Sequence, residues 1–233
     1  MSSRQDEKKK RREEREAQER AAAQSKKRTR LVLIGFGVAT VLAVVVIAGV
    51  LIAGSGGDDE SKASTTAASG AAVPAREITD FDEAVKASGC TFKEYPSEGS
   101  THQEEPFTDY KTNPPTSGTH NPEPAQDGVY DAGNSPEVNN WVHTLEHGRI
   151  LIQYKPGTPK KTIDQLTTLT GENVNGSPGY HMVLMENTTD MPYEVAAVSW
   201  TRTLGCKDFD EKAFDAIRAF RDKYVDKAPE LVP

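Results

Sequence analysis

An uncharged apolar run of 23 residues, Leu31 to Ala53, is the feature that most constrains this chain. At a helical rise of about 1.5 Å per residue, such a run spans the roughly 30 Å hydrocarbon core of a bilayer. A cleaved signal peptide would have an apolar region of only about 7 to 15 residues, followed by a small-residue cleavage site. The run therefore predicts one uncleaved transmembrane helix, with the lipid bilayer as the partner of residues 31–53.

The charges on the two sides of this run predict its orientation. Residues 1–30 contain 12 Lys and Arg against 6 Asp and Glu, whereas the remaining 203 residues contain 16 against 29. Because an excess of basic residues marks cytoplasmic segments, we expect residues 1–30 to be a basic cytoplasmic leader that contacts head groups of the cytoplasmic leaflet. Its basic residues are interleaved with Glu, which argues against a nucleic-acid partner. The chain is thus predicted to lie in the cell membrane with an extracytoplasmic C-terminal domain.

The segment after the apolar run has the composition of a linker followed by a folded domain. Residues 54–74 are rich in Gly, Ser and Ala and predict a flexible linker. Residues 75–233 contain helix and strand patterns, among them one strand over 194–204, and a Pro- and Gly-rich loop over 96–133. These patterns predict an exported α+β domain with a small, mainly antiparallel sheet, packed helices and one long loop. Loops of that length in compact domains are uncommon unless they are functional.

Two cysteines, Cys90 and Cys206, are the only ones in the chain, and both lie in the expected exported domain. An even number of cysteines in an oxidising compartment favours a disulfide, with two buried free thiols as the alternative. Such a bond would join the start of the domain to its last third.

The string VHTLEHGR, residues 142–149, contains the strongest candidates for metal-binding or catalytic residues. It lies on a predicted amphipathic helix from Pro136 to His147, with Ser135 as the expected N-cap and Gly148 as the stop. His143 and His147 are four residues apart, so both lie on one helix face at a spacing that suits a shared metal ion. Glu146 lies between them and could act as a general base if the domain is an enzyme.

Histidines of the long loop could complete such a site. His120 follows the stiff stretch PPTSG and is the best third ligand, and His102 is the next. Imidazole nitrogens suit zinc or another transition metal. A copper site that uses His181, Met182 and Met185 is less favoured, because strand alternation places the two methionines on opposite faces. The alternative is that the histidines only form hydrogen bonds that satisfy loop backbone groups.

Several short motifs occur in an order that resembles a known family. They are Gly89-Cys90, His102, PPTSGTH at 114–120, GVY at 128–130, HTLEHG at 143–148, Ser199-Trp200 and Cys206 before a last helix. In these motifs the chain is similar to a bacterial membrane-anchored family known as a domain of unknown function (DUF 3105). This resemblance implies the architecture of leader, anchor and exported domain, without an activity.

Two functions follow as expectations. The first is an exported domain that binds an envelope ligand or partner protein and possesses a metal site. The second is a metal-dependent hydrolase or lyase that uses HTLEH, a string that also resembles the metal motifs of S-ribosylhomocysteine lyase and the inverted zincin peptidases. The lyase completes its site with a cysteine, and the peptidases need a distant carboxylate on a larger fold.

Overall fold

The computed structural model describes residues 70–230 and Val232. The expected leader (1–30), the expected transmembrane helix (31–53) and the linker up to residue 69 lie outside the described residues. Within the described part, no helix combines the length and the apolar character that crossing a bilayer requires. The packed domain includes the last linker residues, because Val73 contacts the core and the carbonyl of Ala72 accepts a hydrogen bond from Gln165 at 2.9 Å.

The described residues form four helices and eight strands. The helices are α1 (Phe81–Ser88), α2 (Val138–Glu146), α3 (Lys160–Thr170) and α4 (Ala213–Tyr224). The strands are β1 (Thr91–Glu94), β2 (Gly128–Val129), β3 (Ile150–Tyr154), β4 (Asn173–Val174), β5 (Ser177–Pro178), β6 (Met182–Glu186), β7 (Val195–Ser199) and β8 (Arg202–Cys206).

Six of these strands form one mixed sheet in the order β1-β8-β7-β3-β6-β2. The pairs β1–β8, β8–β7 and β7–β3 are antiparallel, whereas β3–β6 and β6–β2 are parallel. The α+β class is therefore confirmed, and the sheet is more mixed than predicted. The reason is the crossover through α3, since a helical connection between two neighbouring strands returns the second strand parallel to the first.

Two hydrophobic cores lie on the two faces of this sheet. Ile150 and Ile152 of β3 point into the first core, with α1, α3 and α4, and Leu151 points into the second core, with α2. Side chains of a strand alternate between faces, so one buried strand contributes to both cores. The second core also lies under the long loop, and this face carries the histidine cluster described below.

The predicted strand over 194–204 is wrong in one respect, because it is two strands. β7 and β8 pair as an antiparallel hairpin, with Val195 opposite Cys206 and Ser199 opposite Arg202. The turn lies at Trp200 and Thr201, and Thr201 has a φ of +63°. Tight hairpin turns usually contain Gly, Asn or Asp at such positions, and none is present here to mark the turn.

Cys90 and Cys206 form the expected disulfide, which links residues 116 apart in sequence. Cys90 precedes β1 and Cys206 ends β8, and these two strands are hydrogen-bonded neighbours in the sheet. Both sulfurs lie in the first core, on the face opposite the second core and α2. The disulfide therefore links the edge strand β1 to its neighbour β8, and it lies apart from the histidines.

Candidate metal centre

The apolar face of helix α2 packs against the sheet. The candidate ligand side chains of this helix lie next to that face. Trp141, Val142 and Leu145 are fully buried in the second core. The helix begins at Val138, two residues later than predicted, with Glu137 at the N-cap position and no side-chain cap. The hydroxyl of Ser135 instead donates to the carbonyl of Glu186 at 2.7 Å, which ties the start of α2 to β6.

The other end of α2 stops at Gly148, as predicted. The amide of Gly148 donates to the carbonyl of Leu145, and the amide of Arg149 donates to that of Thr144, which is a Schellman motif. Gly148 has a φ of +80°, and a Cβ at this position would lie 2.8 Å from the Cα of Asp226. The amide of Asp226 donates to the carbonyl of Gly148 at 2.9 Å. The segment after α4 therefore packs against the end of α2 that carries Glu146.

The long loop places two histidines side by side on the same face. His102 and His120 form a parallel β-bridge, in which the amide of His120 donates to the carbonyl of Thr101 at 3.0 Å and the amide of Gln103 donates to the carbonyl of His120 at 2.8 Å. Ser117, just before His120, is fully buried. The loop is thus a fixed structure that holds both imidazoles over α2.

Four side chains converge between this loop and α2. His102, His120, His143 and Glu146 each offer one ligand atom, and these atoms all lie within 4.8 Å of one another. The Oε2 atom of Glu146 lies 3.0 Å from the Nε2 atom of His120 and 3.5 Å from that of His102. Three of the four residues are buried, whereas the His102 side chain is 40% exposed. We call this set the inner group.

Two of its imidazoles are oriented by backbone carbonyls. The Nδ1 atom of His120 lies 2.8 Å from the carbonyl oxygen of Gly118, and the Nδ1 atom of His143 lies 2.8 Å from that of Asn121. A carbonyl can only accept, so Nδ1 carries the proton in both rings and Nε2 keeps its lone pair. Metal-ligating histidines usually have this arrangement, because the carbonyl fixes both the tautomer and the ring orientation.

Two buried atoms of the inner group have no hydrogen bond. These are the Nε2 atom of His120 and the Oε2 atom of Glu146, which approach each other to 3.0 Å without the angles of a hydrogen bond. In the neutral imidazole with its proton on Nδ1, the Nε2 atom of His120 is an acceptor, as an oxygen of a carboxylate is. Buried polar atoms without a partner are uncommon in folded proteins, because each forgoes its hydration. A cation between the two atoms would satisfy both.

Burial favours the neutral form of His120 and of His143, which is the form that a metal requires. Burial lowers the pKa of His120, although the Gly118 carbonyl and the Glu146 carboxylate oppose this change. Burial, together with the neighbouring His147 and His120, lowers the pKa of His143 to about 4. Because metal ligands must be deprotonated, neutral imidazoles bind a cation at neutral pH without first releasing a proton.

The predicted ligand His147 lies outside the inner group. Its ring centroid is 4.4 Å from that of His143, but its Nε2 atom faces Glu230, whose Oε2 atom is 3.4 Å away. His143, His147 and Glu230 form a second set whose ligand atoms lie within 4.8 Å of one another, which we call the outer group. Glu230 carries no sequence signal, since it lies in an irregular segment near the end of the chain.

The remaining candidates lie elsewhere. The Nδ1 atom of His181 is 2.6 Å from the Oδ1 atom of Asp226, and its ring stacks on Tyr180. Met182 belongs to the first core and Met185 to the second, as strand alternation predicted. The residues of the copper alternative are therefore not brought together by the fold.

The inner group presents three imidazoles and one carboxylate. This is a set that zinc, and other divalent transition metals that accept nitrogen and oxygen, can bind. Four protein ligands match the four-coordinate geometry of structural zinc sites, whereas catalytic zinc sites usually keep one position for water. The arrangement is therefore suited first to holding an ion.

Comparison with known proteins gives one match. The model of the family described as "Protein of unknown function (DUF3105)" matches residues 102–232, a stretch that includes all four residues of the inner group and Glu230. No curated protein matches the chain, and no solved structure matches it either.

Proposed function

The chain belongs to the DUF3105 family of unknown function, and we propose that its folded domain is a transition-metal-binding module held outside the cell by a membrane anchor. Zinc is the first candidate ion. The inner group, made of His102, His120, His143 and Glu146, is the site that binds it.

One observation carries this proposal. The Nε2 atom of His120 and the Oε2 atom of Glu146 are buried acceptors that lie 3.0 Å apart without a hydrogen bond. Histidines that served only to satisfy loop backbone groups would need no acidic side chain at their second nitrogen. Here the second nitrogen of His120 instead faces a carboxylate oxygen in the interior, and a cation that bridges the two atoms would satisfy both.

The same geometry favours binding over the hydrolase or lyase alternative. A general base has to reach a metal-bound water while it stays outside the coordination shell. The carboxylate of Glu146 lies among the ligand candidates, within 3.5 Å of two histidines. Cys206, the residue that could complete a lyase-like site, is held in the disulfide with Cys90. We therefore assign Glu146 as a ligand.

The cellular location is proposed from the sequence. The apolar run over residues 31–53 and the basic leader over residues 1–30 support a single-pass anchor whose leader contacts cytoplasmic head groups. The disulfide supports an oxidising compartment for the folded domain. An envelope ligand or protein is the partner we propose for this domain. Cysteine-labelling of single-cysteine variants before residue 31 and after residue 53 tests the orientation.

The binding proposal is tested by titrating Zn²⁺ into the full chain purified in detergent. We expect one ion per chain. His120→Ala should weaken binding by more than about 100-fold, because loss of even an outer-shell partner costs roughly 10- to 100-fold. His181→Ala is the control, and we expect it to bind as the unmodified chain does, since His181 contacts Asp226 rather than the inner group. A chain that takes up no zinc, or a His120→Ala variant with full affinity, would refute the proposal.

A further inference from the structure

The outer group lies beside the inner group and shares one residue with it. His143 offers a ligand atom to both sets, and the outer set adds His147 and Glu230. From this geometry we propose that the outer group is a second metal position that exchanges its ion with the inner site through His143. The proposal rests on metal binding by the inner group.

Backbone hydrogen bonds place Glu230 at this position. Its amide donates to the carbonyl of Glu146 at 3.1 Å, so the residue that contributes the inner carboxylate also anchors the outer one. Arg149, which follows α2, donates to the carbonyls of His147 and Val232. The segment that carries Glu230 is therefore docked on the end of α2 from both sides. The approach of Glu230 to His147 is part of this docking.

His143 cannot bind an ion of the inner group and an ion of the outer group at the same time. Its Nδ1 atom lies 2.8 Å from the carbonyl oxygen of Asn121 and carries the proton of that hydrogen bond. Only one nitrogen of the ring remains to bind a metal. An ion in the outer group and an ion in the inner group would compete for that nitrogen, so occupation of one position excludes the other.

The difference in burial gives the exchange a direction. The side chain of Glu230 is 48% exposed and that of His147 is 12% exposed, whereas Glu146 is 3% exposed. The outer group offers two imidazoles and one carboxylate beside solvent, and water can complete its coordination. The inner group offers one imidazole more, that of the half-exposed His102, and its other three residues are buried, where charge interactions are stronger. We therefore expect an ion to bind more weakly at the outer position and to move inward when the inner ligands are intact.

A Co²⁺ titration of the full chain tests this inference, with the visible absorption of bound cobalt as the readout. The unmodified chain should bind one ion, because its inner group is complete. His102→Ala/Glu146→Gln removes two inner ligands, and we expect it to bind one ion at least about 100-fold more weakly. Adding Glu230→Gln to this variant should abolish binding, whereas adding Glu211→Gln, an exposed carboxylate elsewhere, should not.

The outcomes distinguish a failure of metal binding at the inner group from a failure at the outer group. If the unmodified chain binds no cobalt, the proposed function itself fails. If it binds one ion and the folded His102→Ala/Glu146→Gln variant binds none, only the outer position is refuted. Two ions on the unmodified chain would refute exclusion through His143, and binding that survives the added Glu230→Gln would refute the role of Glu230. Circular dichroism of each variant establishes that it is folded.

Discussion

The Nε2 atom of His120 and the Oε2 atom of Glu146 meet at 3.0 Å in the interior of the domain, and neither forms a hydrogen bond. His120 comes from the long loop and Glu146 from the last turn of α2. The contact therefore joins the least regular part of the domain to one of its best-defined helices. A cation between the two atoms would make this junction stabilising.

Glu146→Gln should lower metal affinity without lowering the stability of the metal-free protein. The amide removes the anionic ligand, so zinc affinity should fall by more than about 100-fold. The amide also has a donor that can reach the Nε2 atom of His120, so the free energy of unfolding without metal should stay equal or rise by about 1 kcal/mol. Calorimetric titration and urea unfolding measure the two quantities. Glu137→Gln, at the exposed start of the same helix, is the matched control for zinc affinity and should leave it unchanged. A parallel loss of both would show that Glu146 has only a structural role.

Gly148→Ala should destabilise the domain more than the same change at Gly157. The two glycines have φ angles of +80° and +82°, so both substitutions carry the cost of a left-handed alanine, about 1 to 2 kcal/mol. Only at Gly148 would the new Cβ meet backbone, 2.8 Å from the Cα of Asp226, whereas nothing lies within 4 Å at Gly157. Overpacking typically adds about 1 to 3 kcal/mol. Equal free energies of unfolding for the two variants would contradict the close docking of the C-terminal segment on α2.

Replacing both Cys90 and Cys206 with Ser should lower the free energy of unfolding without a loss of metal affinity. The disulfide closes a loop of 116 residues, for which the chain-entropy model gives about 4 to 5 kcal/mol. The cysteines lie in the first core, whereas the inner group lies against the second, so the ligands should keep their positions. Thermal unfolding and zinc titration of the double variant test both statements. A double variant that stays folded and has lost zinc binding would disprove this separation.

The metal-free protein should lose stability as the pH falls from about 6.5 toward 4. The folded pKa of His143 is lowered to about 4, so between these values the unfolded chain binds a proton that the folded chain does not. The free energy of unfolding then rises with pH in this window, by up to about 1.4 kcal/mol per pH unit for one such histidine. Burial lowers the pKa of His120 as well, with the same sign. His143→Gln should have a shallower dependence, and equal slopes for the two proteins would contradict the lowered pKa.

The parts of the fold that could be predicted are those with a local pattern. The apolar spacing of Trp141, Val142 and Leu145 predicted α2 and the face it buries, and Gly148 predicted where the helix ends. The hairpin turn at Thr201 could not be predicted, because the chain adopts a left-handed backbone there without a residue that favours it. The parallel pairs of β6 depend on a crossover, a relationship between distant segments that periodicity does not contain.

The candidate site, too, could be predicted from the sequence only where a local pattern is present. The helical spacing placed His143 and His147 on one face, yet only His143 joins His102 and His120, because His147 lies at the helix end and turns toward Glu230. The place of Glu146 in the inner group depends on how the bridge between His102 and His120 sets the loop over α2. That contact joins residues far apart in sequence.

X-ray absorption of the full chain loaded with one equivalent of Zn²⁺ identifies the atoms that bind the ion. We expect a shell of four nitrogen and oxygen atoms at roughly 2.0 to 2.1 Å, with the outer-ring scattering of three imidazoles. His120→Ala should reduce the imidazole contribution in the same spectrum. A shell of oxygen atoms without imidazole scattering, or a spectrum that His120→Ala leaves unchanged, would contradict the assignment of His102, His120, His143 and Glu146 as the metal site.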